Sequence, residues 1–190
     1  TKVLIIGTGI QARFQAICLA QLMPERVLNF RVWGRNFGAA QTAANELLSQ
    51  ELTVKAVLEL EDEVSSADII ITTTPAVLPL FEDGLVRTGT HVTAIGADSP
   101  GKQELPVGLV TSASLRVCDL LRQSLNHGEF QAAKLADPSL DVTELGHILS
   151  GMHPGRRSKD DITVVDLTGI AAQDIAITQA IIDAAASKKT

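Results

Sequence analysis

Lys2-Val3-Leu4-Ile5-Ile6-Gly7-Thr8-Gly9-Ile10-Gln11-Ala12 decides how the rest of the chain is read. Val3 to Ile6 is an unbroken apolar run, the pattern of a parallel strand buried on both faces. Gly7-Thr8-Gly9 breaks it, and helical periodicity follows from Ile10 to Leu22 until Pro24 forbids its continuation. A strand, a glycine turn and a helix form the context in which G-x-G-x-x-A carries meaning. Gly7 permits the tight turn, Gly9 lets the backbone approach a ligand, and the small Ala12 lets the helix pack closely on the strand. Free amides and a partial positive charge at the helix start suit phosphates. The motif predicts a dinucleotide cofactor held by Gly7, Thr8, Gly9, Ile10 and Gln11.

Further strands are expected at 28–33, 52–57, 67–72, 90–95, 115–118 and 161–167. Helices are expected at 39–48 and 60–65, from 119 to about His127 with Gly128 ending it, and as a long closing helix over 171–186. Residues 146–159 read as an irregular connection. Such alternation predicts an α/β, doubly wound parallel sheet of the Rossmann type, with residues 1–190 as one dinucleotide-binding domain.

The composition narrows the partners. Among 190 residues, 16 are basic and 22 acidic, giving a net charge of −6 that argues against nucleic acid. Aromatic residues make up only 3%, with no Tyr, so base-stacking platforms are not expected. There is no membrane-length apolar run and no signal-peptide pattern. Cys18 and Cys118 read as buried thiols of a cytoplasmic protein. The four histidines and two cysteines show no metal-ligand spacing, so no metal site is expected. His91 reads as structural, and Arg156-Arg157-Ser158-Lys159 as a solvated loop offset by Asp160 and Asp161. The chain starts at Thr1, directly before a strand, which reads as a piece of something longer.

The end of the second strand bears on the choice of cofactor. Trp33-Gly34-Arg35-Asn36 offers no carboxylate to grip an adenosine ribose, whereas an Arg matches a 2′-phosphate. Gly34, Arg35 and Asn36 are therefore candidate cofactor residues, and NADP is favoured over NAD; the plainer reading of Arg35 is a cation capping the next helix. Ligands of open α/β sheets sit outside the carboxyl ends of the strands. Thr72, Thr73 and Thr74 end the fourth strand, as candidates near the nicotinamide ribose or as local backbone partners. Ile95 and Gly96 end the fifth. Asp98, just beyond, is a candidate general acid or base, or part of an ordinary Asp-Ser-Pro turn.

Ile5-Ile6-Gly7-Thr8-Gly9-Ile10-Gln11-Ala12 and Ala94-Ile95-Gly96-Ala97-Asp98-Ser99-Pro100-Gly101-Lys102-Gln103-Glu104-Leu105 together resemble the ornithine cyclodeaminase/μ-crystallin family. Glu144-Leu145-Gly146, Pro154-Gly155-Arg156-Arg157, Asp161-Ile162-Thr163-Val164-Val165, Gly169 and Asp174 continue the likeness in order. The resemblance implies NAD(P)-linked hydride transfer at an amino-acid Cα through an imine, with the family aspartate falling on Asp98. Cyclodeaminases return the hydride to a cyclic imine; ketimine reductases and alanine dehydrogenases run half of that cycle. A μ-crystallin-like protein would bind the nucleotide and a small ligand without turnover. The family also implies an upstream segment of roughly a hundred residues, beyond one domain in size, that holds the substrate carboxylate and forms a homodimer. Gly34-Arg35-Asn36 departs from the acidic tip of NAD-using cyclodeaminases.

Overall fold

The computed structural model describes residues 1–187. Strand β1 (Lys2–Ile6) leads through α1 (Ile10–Leu22) to β2 (Asn29–Trp33), and α2 (Phe37–Leu48) leads on to β3 (Val54–Ala56). Helix α3 (Leu60–Ser66) returns the chain to β4 (Ile69–Thr72), beside β1. Strand β5 (His91–Ala94) is followed by α4 (Val107–Ser112) and β6 (Leu115–Cys118). Short elements come next: α5 (Leu121–Ser124), α6 (Phe130–Ala136), β7 (Thr143–Glu144) and α7 (Leu145–Leu149). Strand β8 (Thr163–Asp166) inserts between β5 and β6, and α8 (Ala171–Ser187) closes the described chain.

The eight strands form one parallel sheet in the order β3-β2-β1-β4-β5-β8-β6-β7, a Rossmann-type arrangement. The order reverses between β1 and β4, and open α/β sheets hold their ligands outside the carboxyl ends at such a reversal. Val3, Leu4, Ile5 and Ile6 are all fully buried, because the sheet is covered on both sides. Leu4 and Ile6 join Leu60, Val64, Leu109 and Phe130 on one face, while Val3 and Ile5 join Ala12, Ala16, Ala40 and Leu47 on the other. Ala12 and Ala16 are the two buried residues of α1, so the helix lies close on the strands through small side chains.

The strand ends share one rung. Ile6 pairs with Thr72, Thr72 with Ala94, Ala94 with Asp166, and Asp166 with Cys118. The turns beyond those residues therefore open onto a common rim.

Several expectations shift. Helix α2 starts two residues earlier than position 39, because the Asn36 side chain accepts from the Ala39 amide at 3.1 Å and caps it. The helix expected over 119–127 is only the single turn α5; Gly128, at φ 129°, stands between it and α6 rather than ending a long helix. Helices α4, α6 and α7 are too short to leave a periodic signal. Cys18 is exposed, a correction to its reading as buried, since it lies off the narrow Ala12–Ala16 face; Cys118 is buried. The 156–161 loop is tied by backbone contacts more than by charge. Asp161 accepts from the Arg157 and Ser158 amides, and the Arg156 guanidinium donates to the carbonyls of Gly89 and Lys159. No helix among the described residues is long and apolar enough to cross a membrane. Helix α8 has every residue exposed, among them Ile175, Ile177, Ile181 and Ile182.

Candidate functional site

The glycine loop spans the first gap in the rim. Gly7 has φ 133°, and a side chain on it would run into Thr73, so the position admits little else. Gly9 differs: nothing lies within 4 Å of where its Cβ would be. It caps α1 in an extended conformation, with no side-chain cap and no acidic residue in the first turn. The amides of that turn thus have no side-chain cap, an arrangement that fits a pyrophosphate. Ile10 and Gln11 are exposed there, and Thr8 is half-buried. Arg13, which its position in the sequence did not single out, donates to the carbonyls of Thr8 at 2.6 Å and Gly9 at 3.0 Å and pairs with Glu46 of α2. It braces the loop from behind.

The tip of β2 lies beside this loop. A Cβ on Gly34 would meet the Thr8 side chain, so the two turns are in close apposition. Asn36 uses its side-chain oxygen to cap α2, which takes over the capping role weighed for Arg35. Arg35 is exposed and makes no side-chain hydrogen bond or ion pair among the described residues. Trp33 donates its indole N–H to the Leu58 carbonyl at 2.9 Å, which fixes the base of the tip.

The ends of β4 and β5 are organised from beneath by an acid that has no local sequence signal. Glu104 is fully buried. Its Oε2 accepts from the Thr72 hydroxyl at 2.7 Å and the Gly96 amide at 2.8 Å. Its Oε1 accepts from the Thr74 amide at 2.6 Å and the Thr74 hydroxyl at 2.7 Å. Thr72 is thereby corrected: its hydroxyl is buried on Glu104 and does not face the rim. Thr73 and Thr74 remain half-exposed, as do Ile95 and Gly96. The Thr73 hydroxyl donates to the Ile6 carbonyl at 3.3 Å.

Glu104 is itself held by a second buried acid. Glu129 accepts from the amides of Glu104 at 2.8 Å and Leu105 at 2.9 Å. Burial pushes the Glu129 carboxyl up to about 8 and that of Asp166, which accepts from Ser124, up to about 7. Both acids are neutral in the fold at low pH but ionise at ordinary values once unfolded. Their stabilising effect is complete near pH 4 and is lost as pH rises through 7 and 8. Burial lowers His91, which acts in the opposite sense, but only below its ordinary value of 6.5. Stability should therefore fall between pH 6.5 and 8.5, by about 1 kcal/mol per pH unit. Urea unfolding across that range checks this, and Glu129→Gln should flatten the slope; a rise in stability would contradict the assignment.

Asp98 stands on the loop beyond β5, exposed to solvent. Its Oδ1 accepts from Lys102 Nζ at 2.6 Å and from the Ser99 hydroxyl at 3.0 Å. The Lys102 hydrogen bond holds the carboxyl below the ordinary aspartate value, against desolvation and with a lesser contribution from Ser99. The loop is anchored to α6: the Gly101 amide donates to Gln131 Oε1 at 3.2 Å, and Gln131 Nε2 donates to the Lys102 carbonyl at 3.1 Å. Gly7–Gln11, Gly34–Asn36, Thr73–Thr74, Ile95–Gly96 and Asp98 thus all follow strand ends on one side of the sheet. A cavity of about 700 Å³ lies elsewhere, between α1 and the start of β4 and β5, lined by Cys18, Asp68, Ile69, His91 and Arg156. None of the candidate cofactor residues lines it. His91 there contacts the hydroxyls of Thr163 at 2.6 Å and Thr93 at 3.0 Å, in keeping with a structural role.

Comparison with known proteins gives this geometry a context. The iminosuccinate reductase of Paracoccus denitrificans is 35% identical over 187 residues, covering 97% of this chain and 57% of the relative. An alanine dehydrogenase of Archaeoglobus fulgidus is 33% identical over 189 residues, covering 96% and 56%. The chain thus spans little more than half the length of these curated relatives. Among solved structures, an archaeal alanine dehydrogenase dimer with bound NAD superposes with a TM-score of 0.87 at 32% identity, over 100% of this chain and 59% of that one. The Paracoccus reductase in complex with NAD⁺ gives 0.86 at 32% identity, over 100% and 58%. A lysine cyclodeaminase gives 0.87 at 30% identity, over 100% and 54%. The family model described as ornithine cyclodeaminase/mu-crystallin matches residues 1–189, and the chain belongs to that family.

Proposed function

We propose that this chain is the cofactor-binding part of an NADP-dependent amino-acid dehydrogenase or imine reductase. The observation that carries the reading is the rim itself: a phosphate-ready helix start and an exposed acid, Asp98, brought to one side of one sheet. In this proposal the Gly7–Gly9 loop and the first α1 amides hold the pyrophosphate, and Thr73, Thr74, Ile95 and Gly96 face the nicotinamide ribose and ring. Arg35, free of partners among the described residues, meets the 2′-phosphate; the alanine dehydrogenase and reductase structures above hold NAD, so this preference rests on Arg35 and the missing carboxylate at the β2 tip. The nicotinamide, when bound, takes a hydride in its oxidised form and gives one in its reduced form. Asp98 exchanges the accompanying proton with the substrate nitrogen, so that an amine becomes an imine or the reverse.

Substrate-carboxylate contacts and homodimer formation are assigned to the part of the protein outside this chain. Helix α8, apolar on most sides and exposed on all, is suited to pack there. Free thiols and nicotinamide-linked chemistry support a cytoplasmic setting. The likeness to a lysine cyclodeaminase over the whole chain favours a second reading, in which the hydride returns to a cyclic imine.

Assays of the full-length protein with alanine, ornithine, diaminobutyrate, and cyclic and acyclic imines separate these readings. The expected result is stoichiometric oxidation or reduction of the cofactor, with NADP(H) preferred over NAD(H) at least tenfold and the preference lost in Arg35→Ala. Ammonia release without net cofactor change would establish the cyclodeaminase. Tight nucleotide binding without any turnover would mean a non-catalytic binding protein.

A further inference from the structure

The geometry points to Glu104 as a buried counter-charge that biases the nicotinamide end of the site toward the oxidised, cationic cofactor. This inference rests on the reading above, in which the ring lies against the ends of β4 and β5. Glu104 sits directly beneath that surface, bonded to the amides of Thr74 and Gly96. Burial raises the Glu104 carboxyl, but four donors converge on its two oxygens, against two on Glu129, and all four favour the carboxylate form. Its neighbour Glu129, pushed up to about 8 by burial, adds little competing charge near neutral pH. Among the described residues no basic side chain bonds to Glu104: the nearby Lys102 is paired with Asp98 instead. Among the described residues the charge is therefore met only by dipoles.

A carboxylate so placed attracts a positive ring through a medium of low dielectric, and does nothing comparable for the neutral reduced ring. Asp98 cannot supply the same bias, being exposed and neutralised by its ammonium partner. Glu104 is accordingly a positioning residue with two separable effects. Its hydrogen bonds set the shape of the strand-end turns, which both redox forms feel alike. Its charge acts on one form only.

Calorimetric titration of the full-length protein with NADP⁺ and NADPH, with NAD⁺ and NADH alongside, distinguishes these effects. Glu104→Gln should weaken the oxidised form relative to the reduced form by about tenfold. Thr72→Val removes one hydrogen bond and keeps the charge, so it should change both affinities by the same factor. Equal weakening of both forms in Glu104→Gln would overturn the counter-charge and leave only a structural role. Should that variant not fold, the wild-type protein still decides: reduced cofactor bound tenfold or more tighter than oxidised contradicts the inference. Failure of the wild type to bind any of the four nucleotides overturns the cofactor reading, and this inference with it.

Discussion

Replacing Asp98 by Ala in the full-length protein should lower kcat by about 10²–10⁴-fold, the usual contribution of a positioned acid or base. Nucleotide affinity should stay within about twofold, because Asp98 lies on the loop beyond β5 and not against the glycine turn. The Lys102 partner makes the expectation more specific than loss of activity alone. With the ammonium 2.6 Å away, the carboxyl is held below its ordinary value and stays ionised down to acid pH. Lys102→Met removes the main cause of that depression, so the pH below which activity fails should move upward. A pH profile of kcat/KM for the wild type and for Lys102→Met reads this directly. If Asp98→Ala keeps its rate within threefold, Asp98 does not handle the proton and the loop is only a turn.

Gly9→Val should raise the nucleotide Kd by about a hundredfold or more, since a branched side chain would occupy the space where the pyrophosphate must approach. The fold should survive the change. Gly9 has open space around its Cβ direction and an ordinary φ of −82°, so the cost is roughly that of a poorer helix cap, about 1 kcal/mol. Gly7→Ala should behave in the opposite way. Its φ of 133° and its contact with Thr73 mean the added methyl strains the backbone and displaces the end of β4. A loss of about 3 kcal/mol in stability is expected there. Thermal melts and nucleotide titrations on the two variants together separate a binding glycine from a folding one. Unchanged affinity in Gly9→Val would remove the phosphate from this loop.

The contrast between the two glycines shows how far the residues could be read without coordinates. A strand buried on both faces leaves a continuous apolar run, so β1 and its turn are legible from Val3 to Gly9 alone. Asp98 stands out by its place just past a buried strand, and the likeness of Gly96 to Leu105 to a known family strengthens it. Glu104 lies in the same stretch, yet nothing in its neighbours says that its carboxyl turns inward: an acid becomes buried only because Thr72, Thr74 and Gly96, from other segments, arrive to donate to it. Glu129 and Asp166 carry no local sign of their burial for the same reason. Sequence alone leaves the Thr72 hydroxyl open between the ribose and local partners, because strand parity depends on which face each neighbour covers. Cys18 reads as buried from its apolar neighbours, yet α1 buries only two alanines.

The shared rung at the strand ends has a consequence for how such a scaffold can vary. Ile6, Thr72, Ala94, Asp166 and Cys118 lie side by side, and each connecting segment leaves the sheet just past that line. Residues added or removed beyond the line lengthen or shorten a loop at little cost in closure entropy. One residue added or removed before it turns a whole strand inside out, sending core side chains to the opposite face. Insertions and deletions are thus tolerated on one side of a sharp boundary and forbidden on the other. New substrate chemistry can be tried by exchanging loops while the sheet keeps its register.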